Sequence, residues 1–451
     1  MLVIVWLAFA INCSCREIMN KVMPSMVDYF GMSSTTSGLI STVGTVGAGI
    51  MAVILGRWAD GRGQGYKRRS AQIIIAVGYL VLTMLTGVPM VASSLGMIFI
   101  LQFLRFGFAG GGEGVDGSAI SEWWPMEARG FILSVRHTAY PWGTAIIAVL
   151  IAAILDRSGN NWRLPFIIIP MLAIPFWVIY LLYANKKRME ETNRRMVENG
   201  LTPSITVEEI ENPKLIESAA EETEGAGEKR SFFAIMKNRN VLACFLCYMC
   251  IIGAYFGLNY WMTPYLTYIG EMTNSSAAIF STIFAITAGL GQIFWGTFSD
   301  RIGCKRTILI CSGWLFVCFC FLPAIKNSMA ICIGIQLLMG FCTNASFPVL
   351  FNFAGMSVKK NELATAIGIC NLSQVIGGMA PYLLGIFISI GGGWKSATGY
   401  NISLYFMLGC LALGFLVILL MSHEVTGPRR GRDWALSSFE SCGVERAKNN
   451  E

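Results

Sequence analysis

The sequence has little charge and almost no histidine: 14% of its 451 residues are Asp, Glu, Lys or Arg, and 2 are His. Soluble globular domains carry about 25% charged residues, so a water-soluble fold is a poor reading. A Gly-x-x-x-x-Gly-Lys-(Ser/Thr) phosphate loop is missing, which argues against a self-contained ATP-driven pump. Without a metal-ligand cluster or a nucleophile–base pair, a membrane enzyme is disfavoured and neither cofactor nor metal is implied. The 14 cysteines lie mostly inside apolar runs, where they act as small core residues rather than a disulfide framework. Cys244, Cys247 and Cys250 drift by roughly 60° per step on a helix and have no fourth ligand nearby, so they too read as packing.

What the chain has is hydrophobic length. Hydrophobic residues make up 54% and the mean hydropathy is +0.57. Crossing a ~30 Å hydrocarbon core takes ~20 mostly apolar residues in a helix. Such stretches occur at 1–24, 34–56, 71–91, 94–119, 131–154, 165–184, 240–262, 276–298, 307–324, 329–354, 363–390 and 400–421. The expectation is therefore an all-α membrane protein of twelve spans. A cleavable signal is not expected, since no basic segment precedes the first apolar run and no small-residue site follows it. The abrupt start at Met1 leaves room for an upstream segment.

The net charge of +7 has to be read by side of membrane, because Lys and Arg are retained in the cytoplasm. With the N-terminus inside, the inner segments hold about 26 basic residues and the outer loops about 4. Arg57, Arg62, Lys67, Arg68, Arg69, Lys186, Lys187, Arg188, Arg301, Lys305 and Arg306 then lie inside, and Arg157, Arg163, Lys326 and Lys395 outside. Both termini are cytoplasmic in this reading, and the membrane is the plasma (inner) membrane. The polar segment 185–239 divides the chain into six-span halves at 1–184 and 240–421, leaving a polar tail at 422–451. Residues Asn185 to Gly200 have helix-forming composition, whereas Glu217 to Glu228 is acidic, as a solvated linker is.

Equal halves invite a search for internal repetition. The loop after the second span runs from Gly56 through Asp60, Arg62 and Gly63 to Lys67, Arg68 and Arg69. The loop after the eighth runs from Gly296 through Asp300, Arg301 and Gly303 to Lys305 and Arg306. Trp162-Arg163 and Trp394-Lys395 are a weaker echo before the sixth and twelfth spans. A carboxylate at a span end, a glycine-permitted turn and basic residues can make charge-assisted contacts in one conformation and release them in another. The alternative is a loop that only sets topology.

These residues resemble the cytoplasmic signature of the major facilitator superfamily, Gly-x-x-x-Asp-(Arg/Lys)-x-Gly-x-(Arg/Lys)-(Arg/Lys), and the resemblance covers the whole chain. It implies two pseudo-symmetric six-helix bundles and a gating role for both loops. The first copy departs at Gly61, where a basic residue is usual, and carries extra residues from Gln64 to Tyr66.

Charges inside the membrane cost about 2.5–3.5 kcal/mol each on insertion scales, so each calls for a reason. The first half carries Arg16 and Glu17 in span one, Arg105, Glu113 and Asp116 in span four, and Arg136 and His137 early in span five. The second half offers neutral groups instead: Asn259, Tyr260, Trp261, Gln292, Asn344, Asn352, Asn371 and Gln374. Buried guanidiniums suit a carboxylate, which their planar forks bind bidentately. Arg16, Arg105 and Arg136 with Asn259, Tyr260, Trp261, Asn344, Asn371 and Gln374 are thus candidate substrate ligands. Arg105 and Glu113 lie about 12 Å apart along one helix, too far for a direct bond. Glu113, inside Gly110-Gly-Gly-Glu-Gly114, is the leading candidate proton carrier, with Asp116 and Glu17 beside it. The alternative is a Glu113 permanently ionised in an ion pair.

The stretch from Arg105 to Gly130, with Trp124-Pro125 and Arg129-Gly130 at its end, looks like span four and the following loop of the superfamily's organic-anion symporters. Cys15-Arg16 with Pro24, and Tyr255 to Leu266, are similar to their spans one and seven. That resemblance places Arg16 and Glu113 at the anion and proton sites and adds Arg129 to the gating residues. Cys15 departs from an often acidic position, and Pro141-Trp142-Gly143 does not match the pattern of drug-extruding antiporters. The sequence is thus read as a secondary transporter of a small organic anion, a carboxylate or sugar acid, moved with protons by a monomer and without nucleic acid. An exporter or anion exchanger on the same fold, and a transporter-like solute sensor, are the alternatives.

Overall fold

The computed structural model describes residues 2–126, 132, 135–212, 232–358 and 363–424. It is built of helices; among the described residues the β pairing is a single bridge between Pro125 and Pro203. The reason is the solvent: a lipid core offers no partners for backbone N–H and C=O groups, so each crossing must satisfy its own.

Among the described residues, eleven helical segments are long and apolar enough to cross a membrane: Leu2–Phe30, Ser34–Asp60, Gly65–Gly87, Leu95–Glu122, Val135–Arg157, Arg163–Tyr183, Arg239–Tyr268, Asn274–Ser299, Met329–Met356, Gly368–Ile390 and Ala397–Met421. Cys304–Cys320, of 17 residues, stands in the ninth position and reaches about 26 Å at 1.5 Å per residue. The first span runs to Phe30, carrying Pro24 inside it, six residues beyond the expected end. Arg16 therefore sits at its middle, whereas a span ending at residue 24 would put it in the outer half. Several spans are broken where the sequence supplies glycine, proline or a polar residue. The fourth stops at Gly111 and restarts at Glu113, the tenth turns at Asn344 and Ala345, and the eleventh at Gly378 and Met379.

The two halves repeat their packing as well as their loops. A Cβ on Gly47 of span two would lie 2.4 Å from the Phe103 carbonyl of span four, and one on Gly291 of span eight 1.9 Å from the Phe341 carbonyl of span ten. Only glycine lets these equivalent pairs approach so closely. Each half has its own large apolar cluster, around Ile18, Tyr79 and Phe166 in the first and around Leu258, Met339 and Leu404 in the second.

The first part of the linker is folded. Helix Lys186–Glu198 buries Met189 and Met196, which lie seven positions apart on one face. Together with Val207–Glu211 it straps the loop between spans two and three: Lys67 Nζ donates to the Ile210 carbonyl at 3.0 Å and Lys186 bonds Glu211. That bond holds the Glu211 carboxyl below the usual carboxylate range. The acidic stretch from Glu217 to Glu228 and the tail beyond Glu424 lie outside the described residues.

Residues 31–33 join the first two spans at what is here called the turn end; the opposite one is the linker end. The halves are closed against each other at the turn end. Ser34 Oγ donates to the Gly385 carbonyl at 2.8 Å, Tyr260 OH to the Ser34 carbonyl at 2.7 Å, Asn274 Nδ2 to Ser25 Oγ at 3.0 Å and Trp394 Nε1 to the Met32 carbonyl at 3.0 Å. A Cβ on Gly38 would meet the Pro381 carbonyl at 2.2 Å, and one on Gly378 would meet Thr45 Cγ2 at 2.1 Å. Further toward the linker end the halves also meet at Gly49 and Val375 and at Trp142, whose indole N–H reaches the Ile286 carbonyl at 3.2 Å.

Candidate functional site

A narrow cleft of about 20 Å³, room for a single water, lies where the closed end stops, lined by Arg16, Glu17 and Asn20 of span one, Ser41 and Thr45 of span two, Gln102 and Phe106 of span four, and Phe256, Tyr260 and Pro381 of the second half. Arg16 is its buried cation. One guanidinium nitrogen meets Glu113 Oε2 at 3.1 Å, with side-chain exposures of 9% and 30%. The other donates to Cys13 Sγ at 3.3 Å, while Nε has no hydrogen-bond partner. The Tyr140 and Phe106 rings lie 5.4 and 5.9 Å from the guanidinium carbon. Among the described residues its charge is met by one carboxylate, which is partly exposed.

The glycine run makes this pair possible. Gly110 leaves space in which a Cβ would crowd Ala48 at 2.7 Å and approach the Arg16 guanidinium at 3.5 Å. The break at Gly112 makes Glu113 the first residue of helix Glu113–Glu122, where the positive end of the helix dipole favours a carboxylate. Arg136 supports it from behind: it donates to the Glu113 carbonyl at 3.1 Å and stacks on Phe9 at 3.8 Å. Glu17 turns to neutral donors, Tyr140 OH at 2.8 Å and Asn20 Nδ2 at 2.9 Å.

The remaining candidates are scattered. Arg105 is spent inside the first half, donating to the Cys15 carbonyl at 2.6 Å and to Gln102 above the Phe166 ring; it touches the cleft only through Gln102. Asp116 accepts from Gln72 at 3.1 Å, and Gln72 accepts from Tyr180, a chain within one bundle. Trp261 stacks on Tyr265 at 4.1 Å and donates to the Tyr400 carbonyl at 3.2 Å, inside the core of the second half. Tyr260 bridges to the first half. Asn259 Nδ2 and Asn344 Oδ1 are buried without partners. Asn371 and Gln374 share the helix face of Val375 and Gly378, which meet Gly49 and Thr45, so both face the first half at the rim of the closed region.

At the linker end, Arg68 NH1 meets Asp60 Oδ1 at 2.9 Å and its NH2 meets Glu122 Oε1 at 2.9 Å. Gly65 N donates to Glu122 Oε2 at 2.7 Å. Arg62 lies 4.4 Å over Trp58. In the second copy, Lys305 Nζ caps span twelve through the Leu419 and Ser422 carbonyls at 3.1 and 2.6 Å. Arg301 and Arg306 are exposed. Gly63 and Gly303 have φ of 98° and 96°, the region glycine adopts without a steric penalty. A Cβ on Gly56 or Gly296 would meet nothing within 4 Å. Arg129 and the side chain of Asp300 lie outside what the structure describes.

The sequence does not single out four further participants. Asn20 and Tyr140 bond Glu17, Lys21 stands one turn from it, and Glu122 shares Arg68 with Asp60. The four-residue step from Glu17 to Lys21 was the available signal, since such pairs share a helix face.

The family model described as Major Facilitator Superfamily matches residues 5–273 and 245–440. The chain belongs to this superfamily. Among curated members it is 25% identical over 409 residues to the sialic acid transporter NanX of Escherichia coli, covering 88% of this chain and 87% of that protein. It is 22% identical over 424 residues to the alpha-ketoglutarate permease of the same organism, with coverages of 89% and 88%. The superfamily fold is also seen in the partially occluded inward open xylose transporter XylE, with a TM-score of 0.69 at 15% identity over 95% of this chain and 98% of that one. As a member, the chain is a multi-pass membrane transporter of small molecules and not an enzyme.

Proposed function

We propose that the chain is a secondary active transporter of a small organic anion, working by alternating access with the anion's carboxylate held at Arg16 and its uptake coupled to protons. The observation that carries this reading is the Arg16–Glu113 pair at 3.1 Å, within the first half and beside the cleft that faces the second. A guanidinium with one carboxylate partner and an unbonded Nε is set up to exchange that partner for another. Protonation of Glu113 removes its charge and frees the fork for a substrate carboxylate; loss of the proton restores the internal pair and displaces the substrate. Asn20, Ser41, Thr45, Gln102 and Tyr260 around the cleft supply hydrogen bonds to the rest of the solute as the cleft widens to admit it. Sialic acid and alpha-ketoglutarate, named for two relatives, are both carboxylic acids, which supports the substrate class.

The excess of Lys and Arg at the linker end supports a cytoplasmic position for that end. The state with its turn end closed is then inward-facing. A thermal-shift screen of purified protein against mono- and dicarboxylates, sugar acids and phosphates tests the reading. Carboxylates should stabilise the wild type and not Arg16→Ala, and the same acids should exchange in proteoliposomes. Stabilisation by neutral or cationic solutes alone would remove the anion from the proposal.

A further inference from the structure

Lys21 lies 1% exposed between the halves, and its ammonium donates at 3.0 Å to Ser281 Oγ of span eight. Ser281 is itself held by Thr263 of span seven at 2.9 Å. An ammonium has three donors, and this one meets a neutral hydroxyl; among the described residues no carboxylate comes within 4.0 Å of it. One turn back on the same face stands Glu17, whose oxygens are occupied by Tyr140 and Asn20. Burial of a charge against a hydroxyl is unfavourable unless the geometry compensates fully. Parting the halves at the turn end would return the ammonium to water and put Glu17, four residues away, within its reach.

We propose that Lys21 is a two-position switch of the turn-end gate, bonded across the halves to Ser281 when that end is closed and to Glu17 of its own helix when it is open. Its burial opposes closure and the Ser281 bond offsets part of that opposition. The closed end is thereby held without becoming a trap. The switch rests on alternating access as proposed above but not on the nature of the solute.

The two partners of one bond therefore act in opposite directions. Lys21→Met keeps the length and the apolar stem while removing the buried charge, so it favours the closed turn end. Ser281→Ala removes the acceptor and leaves the charge, so it favours opening. Each should move the ratio of the two states by about tenfold, the effect of one hydrogen bond to a charged group. Hydrogen–deuterium exchange of the full chain in nanodiscs reads this without ligand. In Lys21→Met, exchange around residues 25–42 and 378–396 should fall and exchange at the linker end should rise. In Ser281→Ala the pattern should invert, and the double variant should follow Lys21→Met. A purely structural bond predicts loosening of the same region in both single variants, and that result, or no change in either, would overturn the switch. Carboxylate stabilisation of both variants in the thermal-shift screen reports separately on the anion reading.

Discussion

Arg16 at the middle of span one faces Glu113, the first residue after the glycine break in span four, across 3.1 Å. The pair closes a gap of 97 positions in sequence and lies where the closed part of the interface ends. The sequence allowed for either a lone Glu113 in a desolvated site or one held in an ion pair, and the geometry is that of the ion pair. In the proposed function, coupling works by competition: the proton and the substrate act on opposite members of one pair.

Glu113→Gln should therefore separate binding from coupling. The amide cannot ionise, so Arg16 stays available to the substrate. Counterflow of carboxylates in proteoliposomes should persist, while accumulation driven by a pH gradient should fall to the level without a gradient. Unchanged dependence on the gradient would show that another group carries the proton.

Arg105 and Arg16 should part company on stability. Arg105 binds the Cys15 carbonyl and Gln102 inside one bundle, and hydrogen bonds to charged groups contribute about 1.5–3 kcal/mol each. Arg105→Ala should lower the melting temperature in every buffer. Arg16→Ala should change the unliganded melting temperature less and abolish the carboxylate-induced shift. Equal losses of that shift at matched stability would place Arg105 in the substrate site as well.

The Arg68 bridge predicts unequal partners. Glu122 is 12% exposed and Asp60 72% exposed, so the Glu122 side is poorly screened and the Asp60 side well screened. Breaking the buried pair with Glu122→Gln should cost roughly 3–5 kcal/mol, and Asp60→Asn less than about 1 kcal/mol. Thermal unfolding of the two variants measures the difference. If Asp60 gates by exchanging partners, Asp60→Asn should reduce the transport rate far more than it reduces stability.

Two glycine substitutions should also diverge. A methyl on Gly38 meets the Pro381 carbonyl at 2.2 Å, whereas one on Gly56 meets nothing. Gly38→Ala should spread the turn end and raise amide exchange around residues 31–42. Gly56→Ala should leave that region unchanged, and its gain in helix propensity, about 1 kcal/mol, should register as equal or higher stability. Protection of the turn end in Gly38→Ala would contradict the close approach.

Much of the scaffold was legible because lipid imposes a simple rule on a chain. Long apolar runs must become helices, and the repeated Gly56–Asp60–Gly63 and Gly296–Asp300–Gly303 loops mark two equivalent halves. Boundaries were less legible: Pro24 did not end the first span, since a long helix packed on both sides tolerates a proline whose lost bond is local. That error of six residues displaced Arg16 from the midplane and left Lys21 at an apparent helix end.

The residues of the site were visible in the sequence as charges that a bilayer penalises, and that penalty alone singled out Arg16, Glu17, Arg105, Glu113, Asp116 and Arg136. Which of them work together was not visible. Arg105 and Asp116 turn into one bundle, Arg136 braces a carbonyl, and Arg16 meets Glu113, because partner choice depends on how spans one, two and four cross and on where Gly110 and Gly112 let them approach. Hydrophobic length along one dimension determined the number and order of the spans. The direction of each buried charge was decided only by their packing in three.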